Sequence, residues 1–193
     1  MNTVATATSS AFEAVDYDPF AGGELALVVP TTEGQREIWL ADQLSQDASL
    51  SFNLSVSLRF NGELDRAALR RALQDVVDRH DALRANVAPG GLELCIRKTL
   101  SMPMRVWDLS GLPATHVADA VSSRLREAVL TPFSLATDPL FRAELLCLGP
   151  SEHLLLLTAH HVICDGWSWW VLVRELGASY GQHRAGAGVA LPQ

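Results

Sequence analysis

Two histidines stand side by side in the run Ala159-His160-His161-Val162-Ile163-Cys164-Asp165-Gly166. An imidazole with an unperturbed pKa of about 6.5 can take a proton at neutral pH, and a nearby carboxylate can fix its tautomer or brace its loop. The residues ahead of them, HLLLLTAHH from His153 to His161, read as a strand. Successive strand side chains point to opposite faces, so His160 and His161 cannot share one job: one faces a site and the other the packing. Gly166 is expected to let the chain turn without a Cβ and to open a helix. A metal pair is the competing chemistry. Metal-binding histidines on helices favour i, i+4 spacing, however, and no third ligand cluster is visible, so no metal site is expected.

The elements that must hold this run can be read outward from it. LFRAELLCLG (Leu140 to Gly149) forms a second long strand, paired with the first across Gly149-Pro150-Ser151-Glu152, and the His153–His161 strand, apolar on both faces, is central. Trp167 to Tyr180 makes a helix with Trp170, Leu172, Val173 and Leu176 inward. Upstream, Thr32 caps a helix through TEGQREIWLADQLS. SFNLSVSLRF (Ser51 to Phe60) alternates, with Phe52, Leu54, Val56, Leu58 and Phe60 on one face. After Asn61-Gly62, Asp65 opens a helix whose Leu69, Ala72, Leu73 and Val76 fall at i, i+3, i+4 and i+7. Strands at 83–88 and 92–98 turn at Pro89-Gly90-Gly91, Val106-Trp107 adds a short strand, and 114–130 is a surface helix. The expected fold class is a mixed α/β sandwich without internal repeats.

Composition bounds what such a fold can do. At 193 residues, with 48% hydrophobic and 19% charged, the chain can bury a core and is not a disordered tail. A net charge of −7 argues against holding nucleic acid through its phosphates. Residues 1–24 carry Glu13, Asp16, Asp18 and Glu24 without Lys or Arg and have no apolar period, which predicts a flexible tail. Its Phe12, Val15, Tyr17 and Phe20 would suit a docking segment. Apolar runs such as Leu154–Leu157 fall far short of the roughly 20 residues of a membrane helix, and the amino terminus lacks the pattern of a secretory signal, so a cytoplasmic protein is expected. Cys95, Cys147 and Cys164 form no C-x-x-C pair and are expected as reduced thiols, the first two as buried small hydrophobes.

With these residues laid out, a resemblance is visible. His160 to Gly166 match HHxxxDG, the signature of the condensation domains of nonribosomal peptide synthetases and of the wider chloramphenicol-acetyltransferase-like superfamily. Trp167-Ser168 extend the match towards condensation domains. Thr31 to Leu40 (TTEGQREIWL) is similar to the family's opening motif and Arg79 to Val87 (RHDALRANV) to its second, RHExLRTxF; Pro139 to Ala143 is also typical. Three ordered motifs across residues 25–193 make a strong signal. Asp81, Ala85 and Val87 stand where the family usually has Glu, Thr and Phe, and Cys164 where it often has Ser. The family's domain has two similar lobes, and the sequence matches the first.

The resemblance implies a chloramphenicol-acetyltransferase-like lobe that forms an amide between an acyl thioester on a donor carrier protein and the amine of an acceptor on another. Both substrates would ride on phosphopantetheine, with no cofactor bound by the chain itself. It implies that His161 orients or deprotonates the amine, that His160 is structural, that Asp165 enters a buried ion pair, and that the Gly166 N–H sits near the developing oxyanion. Arg36 and Arg84 are the candidate partners of Asp165, unless a carboxy-terminal lobe supplies the arginine; the alternative for Arg84 is a surface charge at a strand start. The short tail behind Met1 would then open a subunit whose donor comes from an upstream synthase. A superfamily acyltransferase using acyl coenzyme A and a carrier-protein docking module without chemistry are the competing readings.

Overall fold

The computed structural model describes residues 24–186. The tail expected at the amino terminus lies outside the described residues except for Glu24. That residue bonds Lys98 twice, through its carbonyl at 2.9 Å and its carboxylate at 3.1 Å.

The strands follow the hydropathy pattern. β7 (Glu152–His160) is buried along nearly its whole length and pairs antiparallel with β2 (Asn53–Asn61) on one side and β6 (Phe141–Gly149) on the other. β5 (Met104–Asp108) lies parallel to β6, giving a four-stranded sheet in the order β2-β7-β6-β5. The parallel pair needs a crossover, and α4 (Ala114–Leu130) provides it.

Alternation then sorts the two faces of this sheet. Leu155, Leu157 and Ala159 of β7 with Ala143, Leu145 and Cys147 of β6 meet α3 (Arg66–Arg79) and α5 (Gly166–Arg184) in the main core. The α3 face is the one its period predicts, Leu69, Ala72, Leu73 and Val76, widened by Ala68 and Val77. The opposite face belongs to α4, whose end is tied to the sheet by Asn53, donating from Nδ2 to Val129 O and Thr131 O at 2.7 and 3.0 Å.

A smaller antiparallel sheet, β1 (Leu25–Pro30), β4 (Glu93–Arg97) and β3 (Ala85–Val87) in the order β1-β4-β3, packs a second core of Val87, Leu94, Phe133, Leu135, Leu140 and Val162. Its β3–β4 turn holds Gly91 at φ +72°, where a Cβ would stand 2.4 Å from the Trp39 ring. Trp39 belongs to α1 (Glu33–Asp42), so the helix and the turn fit only because that position is glycine.

The structure departs from the expected elements in four places. The first helix stops at Asp42, and Ser45 caps a second, α2 (Gln46–Ser51), by accepting from Ala48 N–H. β1 adds a strand where none was assigned. The strand expected at 83–88 begins as a 3-10 turn over Asp81–Arg84. In α5 the inward residues are Trp169, Leu172, Glu175, Leu176 and Ser179, whereas Trp170 is 55% exposed. No helix among the described residues is long and apolar enough to cross a membrane.

Candidate active site at the end of the central strand

The two histidines sit where β7 leaves the sheet. Backbone N–H groups of His160 and His161 donate to Leu140 O at 3.0 Å and Phe52 O at 2.8 Å, and Ile163 N–H donates to His160 O, closing a turn. The loop from His161 to Asp165 then delivers the chain to α5.

His160 is sealed. Its ring is fully buried between Phe52 and Phe133, with centroids 6.0 and 6.1 Å away. Nδ1 accepts from Val162 N–H at 3.2 Å, and Nε2 faces Asp42 Oδ1 at 3.6 Å. Burial, only partly opposed by Asp42, pushes its pKa down to about 4, so the ring is neutral at neutral pH. His161 is half-buried, and among the described residues no hydrogen bond engages its ring.

Among the described residues Asp165 enters no ion pair, so a buried pair with an arginine of this lobe is not formed. Asp165 is exposed and caps α5, its Oδ1 accepting from Ser168 N–H at 2.7 Å and Ser168 Oγ–H at 2.6 Å, while its own N–H donates to Ser168 Oγ at 3.2 Å. These bonds from Ser168 hold its carboxyl below the usual carboxylate range, with a small contribution from nearby His161. The capping box from Asp165 to Ser168 supplies Oδ1 with two local donors in place of an arginine.

Neither candidate arginine reaches it. Arg36 is exposed on α1 and takes part in no ion pair among the described residues. Arg84 is not a surface charge either, being 8% exposed. Its guanidinium donates to the carbonyls of Val77, Asp78, Arg97 and Lys98 and to the Asp81 carboxylate, stitching the end of α3 to β4.

Gly166 is the first residue of α5, and a Cβ there would meet nothing within 4 Å, so sterics do not explain the glycine. Its N–H is one of the unpaired donors of a helix amino terminus. Cys164 is buried, its thiol pushed up to about 12 by burial and then by Asp165, which makes it inert. Cys95 and Cys147 are buried and free as well, and burial raises both thiols. No group of three or more potential metal ligands occurs among the described residues.

Several supporting residues escaped the sequence. Gln35 of α1 donates from Nε2 to Val162 O at 3.0 Å. Glu175, buried on α5, accepts from Arg79 at 3.2 Å and lies 2.7 Å from His80 Nε2, joining α5 to the end of α3. Both are polar residues in helix patterns, and the capping glutamine of α1 was the only local signal.

Beside the loop is a hollow of about 220 Å³ between the turn after α3 and the start of α5, bounded by His80, Leu83, Ile163, Trp167 and Val171. A larger cavity of about 310 Å³ lies on the α4 face, with Arg105, Arg124, Arg142, Glu127 and Glu144 in its walls. Trp167, 73% exposed, stacks on Trp170 at 5.5 Å between ring centroids.

Comparison with known proteins places this geometry. A family model described as "Condensation domain" matches residues 26–193. The chain is 39% identical over 153 residues to a dimodular nonribosomal peptide synthase of Bacillus subtilis (strain 168), covering 79% of this chain and 6% of that protein. Against phosphinothricin tripeptide synthetase PhsB of Streptomyces viridochromogenes it is 34% identical over 166 residues, covering 84% of this chain and 14% of that one. Among solved structures, the starter condensation domain of the rhizomide synthetase RzmA superposes with a TM-score of 0.78 at 26% identity, over 87% of this chain and 42% of that chain. An X-domain in complex with OxyB from teicoplanin biosynthesis gives 0.73 at 32% identity, over 84% and 35%. The chain therefore spans a small part of the curated relatives and about two fifths of the solved ones.

Proposed function

The chain belongs to the condensation-domain family, and from that premise we propose that it forms the histidine-bearing lobe of a condensation site, in which His161 serves the amine of a carrier-bound acceptor. One observation carries this reading: of the two adjacent histidines, His160 is sealed and neutral, whereas His161 is half-buried and no hydrogen bond engages its ring among the described residues.

The chemistry asks little of the base. The acceptor nitrogen attacks the donor thioester carbonyl, the C–N bond forms, and the C–S bond breaks as the thiol leaves. An α-amine with a pKa of about 7.7 to 8 is partly neutral at physiological pH, so His161 need only orient the nitrogen and collect its proton. The first N–H groups of α5, on Gly166 and Trp167, are the donors available to the developing oxyanion.

The partners in this reading are donor and acceptor carrier proteins that present acyl groups on phosphopantetheine, in the cytoplasm, and no cofactor is held by the chain itself. An upstream synthase subunit delivers the donor, and a second lobe closes the site opposite His161. A docking module without chemistry is a second reading, favoured by the likeness to an X-domain solved together with OxyB.

Substitution of His161 separates the two. In the complete two-lobed protein, His161→Ala should abolish amide formation between loaded carriers while carrier binding persists. Near-native turnover in that variant would reject the assignment.

A further inference from the structure

Asp42 and His160 share an unusual feature: Asp42 Oδ1 and His160 Nε2 are both buried polar atoms without a hydrogen-bond partner among the described residues, and they face each other at 3.6 Å. The other Asp42 oxygen is occupied, accepting from Gln43 Nε2 at 3.0 Å. On the ring, Nδ1 accepts from Val162 N–H, so a neutral imidazole must carry its proton on Nε2, on the side of Asp42. A buried N–H and a buried carboxylate oxygen that lack other partners are held together by the cost of separating them.

We propose that Asp42 is a positioning residue for His161: it keeps the His160 proton on Nε2, which frees Nδ1 to hold the Val162 N–H and so fixes the backbone from which His161 projects. The functional half of this statement rests on the reading of His161 given above.

The Val162 peptide is gripped from both sides. His160 Nδ1 takes its N–H, and Gln35 Nε2 donates to its carbonyl at 3.0 Å. Gln35 and Asp42 lie seven residues apart, two turns along one face of α1. Between them Ile38 and Trp39 pack against the cluster that contains Val162. One face of α1 therefore indexes the loop through an amide, two apolar side chains and a carboxylate. His161 N–H is fastened to Phe52 O on the neighbouring strand. The low pKa of His160 agrees with a ring that stays neutral and keeps one tautomer.

Nitrogen chemical shifts of the 15N-labelled imidazoles in this chain test the proposal directly. In the unsubstituted protein the His160 ring should be neutral at pH 7 and protonated at Nε2. Asp42→Ala should mix the two tautomers and speed exchange of the Val162 amide at least tenfold, and Asp42→Asn, which keeps an acceptor oxygen, should restore both. In the complete two-lobed protein, Asp42→Ala should lower kcat about tenfold with the KM for loaded carriers unchanged. A His160 proton on Nδ1, or an Asp42→Ala protein with unaltered tautomer and exchange, would overturn the proposal. A shifted tautomer with undiminished kcat would overturn the link to His161. Should Asp42→Ala fail to fold, the tautomer of the unsubstituted protein and of Asp42→Asn still decides. The spectroscopic readouts need no turnover, so failure of the condensation reading remains distinguishable from failure of this one.

Discussion

With its ring enclosed by Phe52 and Phe133, His160 has a folded pKa of about 4 against an ordinary 6.5, burial outweighing the opposing pull of Asp42. Because the folded value is depressed, the unfolded chain binds the proton first as pH falls. The stabilisation is whole above pH 6.5, declines between 6.5 and 4, and loses nothing further below that. The full span is worth about 3 kcal/mol. Denaturant unfolding from pH 7.5 to 4 should show this slope, and His160→Asn should flatten it; an equal slope in both proteins would assign the acid sensitivity elsewhere. Asp165 and Arg84 make a second residue-scale contrast. As an exposed cap, Asp165→Ala should cost about 1 kcal/mol, whereas Arg84→Ala strips four carbonyls of their donor and should cost on the order of 3 kcal/mol. Arg84→Lys should rescue little of that, since an ammonium cannot reproduce the guanidinium fork. Comparable melting losses for Asp165→Ala and Arg84→Ala would restore the buried-pair expectation.

The fold was legible in the sequence wherever one periodicity excluded the others. β2 alternates without exception, α3 carries a clean i, i+3, i+4, i+7 stripe, and the apolar β7 could only be central; the residues expected inward in α3 are inward. α5 was legible as a helix but not in phase. Trp169 to Val173 is an unbroken apolar run, so two faces about 100° apart fit it equally well, and packing against Phe141, whose ring is 6.2 Å away, selects the face of Trp169. Of the candidate site, the contrast between His160 and His161 was legible, because alternation along a strand is local, and its supports were not, because Asp42 and Gln35 reach the loop from more than 110 positions away in the chain. What Arg84 does was hidden for another reason: its acceptors lie close in the chain but are backbone carbonyls, which no residue type announces, whereas the Ser168 side chain answers Asp165 within one helical turn. The phase of α5 makes a prediction at this scale. Trp169→Ala should cost about 3 to 5 kcal/mol as a large-to-small core change, and Trp170→Ala about 0.5 kcal/mol or less. Chemical denaturation of both variants checks it, and a larger loss for Trp170→Ala would return the helix to the other face.

At the scale of the molecule, one sheet with the pair α3 and α5 on one face and α4 on the other is a core sufficient for cooperative folding. Neither hollow described above includes His161 in its wall. A half-buried imidazole cannot by itself hold an amine and a thioester in line. Positioning of that kind is worth roughly 7 to 11 kcal/mol of a reaction barrier. The solved condensation domain of RzmA is matched over 42% of its length, and in the function proposed above a second lobe supplies the opposing wall. The 193-residue chain should accordingly melt in a single transition and yield no amide when mixed with loaded donor and acceptor carriers. Joined to a second lobe of the family, it should yield product, and His161→Ala in the joined protein should remove it. Calorimetry and mass spectrometry of the carrier-bound acceptor provide the two readouts. Product from residues 1–193 alone, at a rate near that of the joined protein, would mean that His161 positions its substrates without an opposing wall and would reject the two-lobed site.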